Sequence, residues 1–465
     1  MAHEVNIGSI SNGNASVSLD YAVDVVGNVW SMAYAAGNGF ILERYGDSIP
    51  PPEPVEPLEP VATVFDQTQA SGNLPAIIDN AGATRGAGFN GSHVYVASRQ
   101  NGDHVYYWDV NNTGAAPAEL DLSGVGGGTF TLADLTVVGD HVFVSNMVFL
   151  GDVFKVYHWA GNSAAPTVLL EYPNAPARLG DAITVLGDPA VEAQLVVSGH
   201  GTKNFYIWKI ENGAIPNTEP TVMTFDQVDN VNFGRITALP NGEGFIASAP
   251  NFGMFLLDEN MAVVDQVPLD FFLSWPMYVQ VFEFDGRRFL SYVHVKSNPA
   301  ENELQILDIT EGATVAEAIQ QLKTFNVSDR IAHLVNIGNV SNGNASVSLD
   351  FALDSGGNTW CMAFSAGNGF ILQKFGDNPV NADWTSLDAS VKVFPNPARD
   401  LVSLSSEFTI RKVSVFDMTG RLVYFAENEN ATMMSIPVGS WSQGVHFMTV
   451  LTDGGLVGKK LVKID

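Results

Sequence analysis

Three strand-like stretches recur along this chain about every fifty residues, and that period constrains the fold more than any other feature. Tyr106-Tyr107-Trp108, Tyr157-His158-Trp159 and Tyr206-Ile207-Trp208 each end such a stretch, and their tryptophans lie 51 and 49 residues apart. Each is followed by an Asn-containing turn and then a proline, Pro117, Pro166 and Pro216. The strand before each is equally repetitive: VYVAS (94–98), VFVSN (142–146), LVVSG (195–199), and FIASA (245–249) one period later. A four-stranded antiparallel blade takes roughly 40–50 residues, so the period is that of a β-propeller. Continuing the count places blades near 84–124, 128–172, 177–225, 233–270, 276–326 and 342–377: six blades, or seven if the irregular ends supply another. Propellers close by adding a strand from one terminus to the blade made by the other. Ala62–Gln67 is placed to pair with the blade ending at Phe375, which would leave no open edge. One helix interrupts the pattern, where Thr314 and Glu317 form a capping box. It is expected to cross between the outer strands of the fifth blade.

A second, longer repeat lies over the first. Residues 1–47 and 331–377 align without a gap, 330 positions apart, and agree at about two thirds of positions. That spacing exceeds any single blade and suits whole domains. Ile331–Asp377 is expected to be the closing blade of the propeller. Met1–Asp47 carries the same strand pattern without partner blades, and is expected to be an orphan terminal blade of a preceding propeller repeat, with exposed apolar edges. MAHEVNIG reads as the middle of a β-domain and not as a signal peptide, so a leader is expected further upstream. Residues 48–61 include IPPPEPVEPLEP, where proline favours an extended backbone and glutamate keeps it solvated: a linker. A propeller domain over 62–377 follows, then a second linker at 378–390.

Composition limits the function classes. With 46% apolar and 15% charged residues the chain is folded. Its 44 glycines and frequent Asn-Gly and Asp-Gly pairs favour a turn-rich, all-β protein. A formal charge of −28 argues against nucleic acid, because no basic stripe is available to replace phosphate counterions. Cys361 is the only cysteine, so there is neither an intrachain disulfide nor a thiolate cluster. No apolar run reaches the roughly 20 residues of a membrane helix.

After 390 the style changes to six or seven short strands in about 75 residues, the pattern of a small Ig-like β-sandwich over 391–465. Three motifs stand in order within it. They are Val393-Phe394-Pro395-Asn396-Pro397, then Val415-Phe416-Asp417-Met418-Thr419-Gly420-Arg421, then Gly444-Val445-His446-Phe447 ahead of Lys459, Lys460 and Lys463. Together they resemble the C-terminal sorting domain of the type IX (Por) secretion system, type A. The resemblance implies that Pro395, Asn396, Pro397, Asp417, Gly420, Gly444, Lys459 and Lys460 belong to the sorting motif. It also implies that the partners are the type IX machinery and its sortase. The destination it implies is extracellular or the outer-membrane surface, reached through the periplasm, with the domain commonly cleaved on arrival. His446 departs from the family pattern, which has an aromatic such as tyrosine there. Arg411, Lys412, Arg421, Lys459, Lys460 and Lys463 make this segment locally basic on an acidic chain. The propeller also resembles a domain family of unknown function found on such surface proteins.

Motifs that carry chemistry are few. His93, His104, His141, His158 and His200 sit beside turns or in strands, with no His-Glu-x-x-His or Cys-His spacing for zinc. No Gly-x-Ser-x-Gly elbow occurs. GVGGG (124–128) lacks dinucleotide-loop spacing, GGLVGKK (454–460) is one residue short of a phosphate loop, and the stretch from Asp109 lacks the closing ligand of a calcium loop. No cofactor or metal is expected. Cys361 has Ser31 as its counterpart in the other copy, which marks it as a packed small residue and not a nucleophile. The strongest constellation is geometric. Counting back from the first turn of each blade gives Arg85, Asp134, Asp181, Arg235, Gln280 and Asp350, all expected on the innermost strands at the channel mouth. Such a ring can hold a polar glycan, a peptide end or an ion. The other reading is that neighbouring blades pair these residues for register, as between Asp181 and Arg235. The function expected is binding or adhesion to a glycan or a host or matrix protein. The alternatives are a polysaccharide-acting enzyme with a carboxylate pair such as Asp134 and Asp181, or a structural spacer with a plugged channel.

Overall fold

The structure, a computed structural model, describes residues 6–10, 16–23, 29–45, 55–376, 391–417, 421–452 and 455–464. Residues 1–54 and 55–465 form separate compact units.

In the larger unit, six four-stranded antiparallel sheets follow one another. The first strand of each touches the first strand of the next, and the sixth meets the first, so the sheets form a closed ring of blades around a central channel. These inner strands are Thr84–Phe89, Phe130–Val138, Ile183–Asp188, Arg235–Ala238, Trp275–Phe284 and Val347–Leu353. Ala62–Thr68 pairs antiparallel with Gly369–Phe375 and completes the sixth blade. Gly369 makes that closure close-fitting: it has φ +87°, and a Cβ there would overlap the Gln67 carbonyl oxygen.

The recurring tryptophans explain the period. Trp108, Trp159 and Trp208 lie on third strands and are buried at blade interfaces. Trp108 packs edge-on to Phe370 of the sixth blade, and Trp208 edge-on to Tyr172 of the second. The indole N–H groups of Trp159 and Trp208 donate to the carbonyls of Asp121 (2.7 Å) and Thr218 (2.8 Å), so each large apolar ring is buried with its polar atom satisfied.

Two boundaries differ from expectation. The fifth blade does not end at 326. Its fourth strand is Ile331–Gly338, paired with Ala300–Asp308, and the helix Val315–Leu322 lies in the connection between them. Thr314 caps that helix through the Glu317 N–H, and Val315, Ala318, Ile319 and Leu322 bury its apolar face. The 331–377 repeat therefore spans the end of one blade and most of the next, and its start is not a blade start. The proline-glutamate stretch also divides. Residues 48–54 lie outside the described residues, as does the linker at 378–390, whereas 55–61 are held on the propeller. There, Leu58 is buried, its N–H donates to Ala332 O (2.8 Å), and Val61 N–H donates to Lys374 O (2.8 Å).

The smaller unit contains a three-stranded sheet, Val17–Val23, Val29–Ala35 and Gly39–Tyr45. Its register repeats that of the sixth blade position for position, from Val17 opposite Ala35 to Val347 opposite Ser365. Asn38 brackets the Ile10 backbone as Asn368 brackets Val340. Burial separates the copies. Leu349 and Phe370 are 0% exposed, while Leu19 is 63% and Phe40 is 70% exposed.

The C-terminal segment is a five-stranded antiparallel arrangement over Val391–Phe394, Leu401–Asp417, Leu422–Pro437, Gly444–Thr452 and Gly455–Lys463. Register irregularities in the pairing of its two longest strands bend them, and Val402, Leu404, Val413, Val415, Ile436, Val450 and Leu461 fill a sandwich-like core.

Candidate functional site at the channel mouth

A serine on the second strand gives a common height in five of the six blades. Ser98, Ser145, Ser248, Ser291 and Ser365 lie opposite Thr84, Asp134, Arg235, Gln280 and Val347. Asp134, Arg235 and Gln280 thus share one level. Asp181 lies before the start of its strand, towards the mouth. Arg85 sits one residue further in than its blade's marker, and Asp350 three.

Arg235 closes the channel. Its Nη2 meets Asp134 at 2.7 and 2.8 Å, and its Nη1 donates to Ile183 O at 2.5 Å. Its guanidinium lies 4.5 Å from the centre of the Tyr278 ring. Asp134 also accepts from Ile183 N–H (2.7 Å). One buried ion pair thus joins the second, third, fourth and fifth blades. Burial opposes the charge on Arg235, but Asp134 more than offsets it and holds the guanidinium's pKa above its usual value. The Cβ-free Gly86 lets the first blade reach this pair, because a side chain there would overlap Asp134 Oδ1. Deeper in, Asp350 Oδ2 accepts from Phe89 N–H (2.9 Å), and Gln280 reaches down from its level to donate through Nε2 to Leu349 O (2.5 Å). Burial pushes the Asp350 carboxyl up to about 8, against the Phe89 N–H and Arg235.

Towards the mouth the balance is cationic. Asp181 receives a two-point contact from Arg178, through Nε at 2.7 Å and Nη2 at 2.6 Å, and Arg85 Nη2 approaches at 3.6 Å. Arg85 Nε also donates to Ala133 O (3.2 Å). Asp181 therefore pairs with Arg178 and Arg85, and Asp134 with Arg235; the expected Asp181–Arg235 pair is not formed. Arg99, at the end of the first blade's second strand, faces the same field. Its Nη2 donates to Gly82 O (2.9 Å), the Phe130 ring covers it at 3.7 Å, and its Nε and Nη1 find no acceptor. Counting along inner strands missed Arg99 and Arg178, which lie outside them, and passed over Phe130 and Tyr278, which lie on inner strands but not at the counted positions. Scarcity is the available signal: in a chain with only 22 lysines and arginines, Arg85 and Arg99 both fall in the first blade and Arg178 just ahead of the third.

The histidines are distributed around the blades. His141 Nδ1 and His158 Nε2 share a 2.7 Å hydrogen bond, His104 meets Glu119 at 2.8 Å, and His93 meets Ser92 at 2.8 Å. No three His, Cys, Asp or Glu side chains converge among the described residues.

At the C-terminal end the sorting-motif residues meet across the sandwich. The Asn396 amide bridges the last strand, donating to Lys460 O (2.7 Å) and accepting from Val462 N–H (2.9 Å). Asp417 Oδ1 accepts from Arg421 N–H (3.1 Å), and its Oδ2 from Arg421 Nε (3.0 Å). Gly420 lies outside the described residues. Gly444 opens its strand at φ +127°. His446 is buried beside Trp441, and both its ring nitrogens lack a partner.

Fold and tail together define an exported all-β protein, a six-bladed propeller followed by a sorting sandwich. The chain belongs to the family described as domain of unknown function DUF4623, which matches residues 59–378, and residues 392–464 match the secretion system C-terminal sorting domain. Among solved structures it is similar to a DUF4623 family protein from Bacteroides eggerthii DSM 20697. That likeness has 18% identity and a TM-score of 0.60, and covers 78% of this chain and 87% of that one. It is also similar to a protein of unknown function from Dyadobacter fermentans DSM 18053, at 10% identity and TM-score 0.43, over 70% of this chain and 100% of that one. No curated protein matches. The tail indicates export through the type IX system to the cell surface or beyond. No helix among the described residues is long and apolar enough to cross a membrane.

Proposed function

We propose that this protein is a surface-displayed or released binding protein whose propeller takes a polar ligand, a glycan or a matrix protein, on the face where the inner strands begin. The observation that carries this reading is how the mouth carboxylates are used. Asp134 is held by Arg235, and Asp181 by Arg178 and Arg85, so neither is free for the acid and nucleophile roles a glycosidase needs. The surplus charge left at the mouth is cationic, which suits recognition. The buried Arg235 plug favours a second reading, a spacer with a closed channel.

The test is to apply the purified full chain to a panel of neutral and acidic glycans and extracellular matrix proteins, and to analyse the glycans for cleavage. Saturable binding without cleavage is expected. Cleavage products would overturn the reading in favour of an enzyme, and no binding to any panel member would overturn it in favour of a spacer.

A further inference from the structure

We infer that the mouth formed by the first three blades is a site for an acidic saccharide, whose carboxylates meet Arg99 and Arg178 while its rings lie against Phe130 or Phe149. This rests on the binding reading above and specifies its ligand.

The first observation is Arg99. A guanidinium has five N–H donors and no means of losing its charge at ordinary pH, so donors sheltered from water need acceptors. Arg99 has one, the Gly82 carbonyl, while its Nε and Nη1 are sheltered and have none. Burial and the neighbouring Arg85 lower its pKa to about 10, which reports an under-neutralised cation. An anion that reaches these donors past the Phe130 ring supplies the missing acceptor.

The second observation is the charge count around it. Arg85, Arg99 and Arg178 share Asp181, and Asp103 adds one further carboxylate to the field at Arg99. Arg85 also lies in the field of Asp134, which Arg235 neutralises, so four cations against three anions leave a positive basin on a chain of net charge −28. An anion is repelled by most of this surface and drawn to this place, which selects for position as well as for charge.

The third observation is the apolar rim. Phe130 is 43% exposed, Phe149 is 49% exposed with its ring 5.9 Å from the Arg178 guanidinium, and Leu150 beside it is more exposed still. A free phosphate or a metal ion uses none of this surface. A sugar ring has an apolar face that packs on an aromatic ring, and a uronic acid carries a carboxylate at one edge, so it matches both halves of the site. A sulfated sugar has the same shape and charge sign. A peptide carboxy terminus with an apolar side chain would be a different class of partner.

The experiment is calorimetric titration of the full chain with trigalacturonate, a neutral trisaccharide, a chondroitin sulfate tetrasaccharide and a short peptide ending in a phenylalanine carboxylate. Trigalacturonate should bind, and binding should weaken with added salt. Affinity should fall at least tenfold in Arg99→Gln and in Arg178→Gln. It should fall several-fold in Phe149→Ser, which alters an exposed side chain and leaves the ion pairs in place. Lys209→Gln, on the third strand of the third blade, should change nothing. Arg99→Lys, which keeps the charge, should retain more affinity than Arg99→Gln, and equal melting temperatures would show that the variants fold. Equal affinity for neutral and acidic trisaccharides, or uronate binding indifferent to both arginines, overturns the inference and leaves the binding reading standing. Tighter binding of the sulfated sugar than of the uronate overturns the choice of carboxylate. Binding of the peptide alone overturns the choice of saccharide. If the broader panel also binds nothing, the binding reading itself fails.

Discussion

Replacing Arg235 with methionine should destabilise the propeller by about 3–5 kcal/mol, the cost of leaving a buried charge without its partner. The estimate follows from what remains around Asp134. Without Arg235 the carboxylate keeps the Ile183 N–H at 2.7 Å but loses contacts at 2.7 and 2.8 Å, in a site where both side chains are almost fully buried. The Ile183 carbonyl loses its donor as well. Asp134→Leu should cost a similar amount, because a buried guanidinium would then face only carbonyls and the Tyr278 ring. The double variant Asp134→Leu/Arg235→Met should recover most of either loss, since a buried pair contributes little net stability over apolar groups of similar size. Urea unfolding of the full chain, followed by tryptophan fluorescence, is the assay, because Trp159 and Trp208 are fully buried between blades. Single variants that each cost under about 1 kcal/mol, or a double variant that costs their sum, would refute the plug.

Three further outcomes are expected. Asp350 keeps its proton to about pH 8 when folded, whereas an unfolded aspartate ionises near 3.9. Its contribution to stability is therefore full below about pH 4 and lost as pH rises towards 8, and Asp350→Asn should remove that loss. The full shift is an upper bound because the side chain is partly exposed, so the gain at pH 7.5 should be about 2 kcal/mol, read from melting temperature against pH; a profile unchanged from wild type would contradict it. His446→Phe should stabilise the sorting sandwich by about 1 kcal/mol, since it removes two buried, unpartnered nitrogens while keeping a ring beside Trp441. A lowered melting temperature in that variant would contradict the reading. Deleting residues 391–465 should leave the protein in the periplasm of the producing cell, and surface labelling of the truncated chain would contradict the role given to the tail.

The ring was legible because its signals are local and repeated. The tryptophans at 108, 159 and 208 mark third strands, and ATVFDQ at 62–67 was visible as a strand in search of an edge. The fifth blade's end was obscured by its helix, which fills the interval where a fourth strand was due. The channel residues were legible as a set but not as partners. Irregular registers between Thr84 and Ala87, and between Met277 and Gln280, shift side chains in ways a fixed count along the strand cannot follow. Arg235 reaches past the third blade to Asp134 of the second, and sequence spacing carries no sign of a contact 101 positions apart. Arg99 and Arg178 escaped because they lie outside the inner strands, where only the closed ring brings them together.

The central claim is that the cationic mouth is where this exported propeller meets its ligand, and a crystal structure of the full chain soaked with trigalacturonate tests it most directly. The account predicts density over the first three blades, a carboxylate within hydrogen-bond distance of Arg99 or Arg178, and a sugar ring on Phe130 or Phe149. Density confined to another groove, such as the one lined by Leu273, Trp275 and Lys296 or the one lined by Asn111, Leu353 and Trp360, would contradict it.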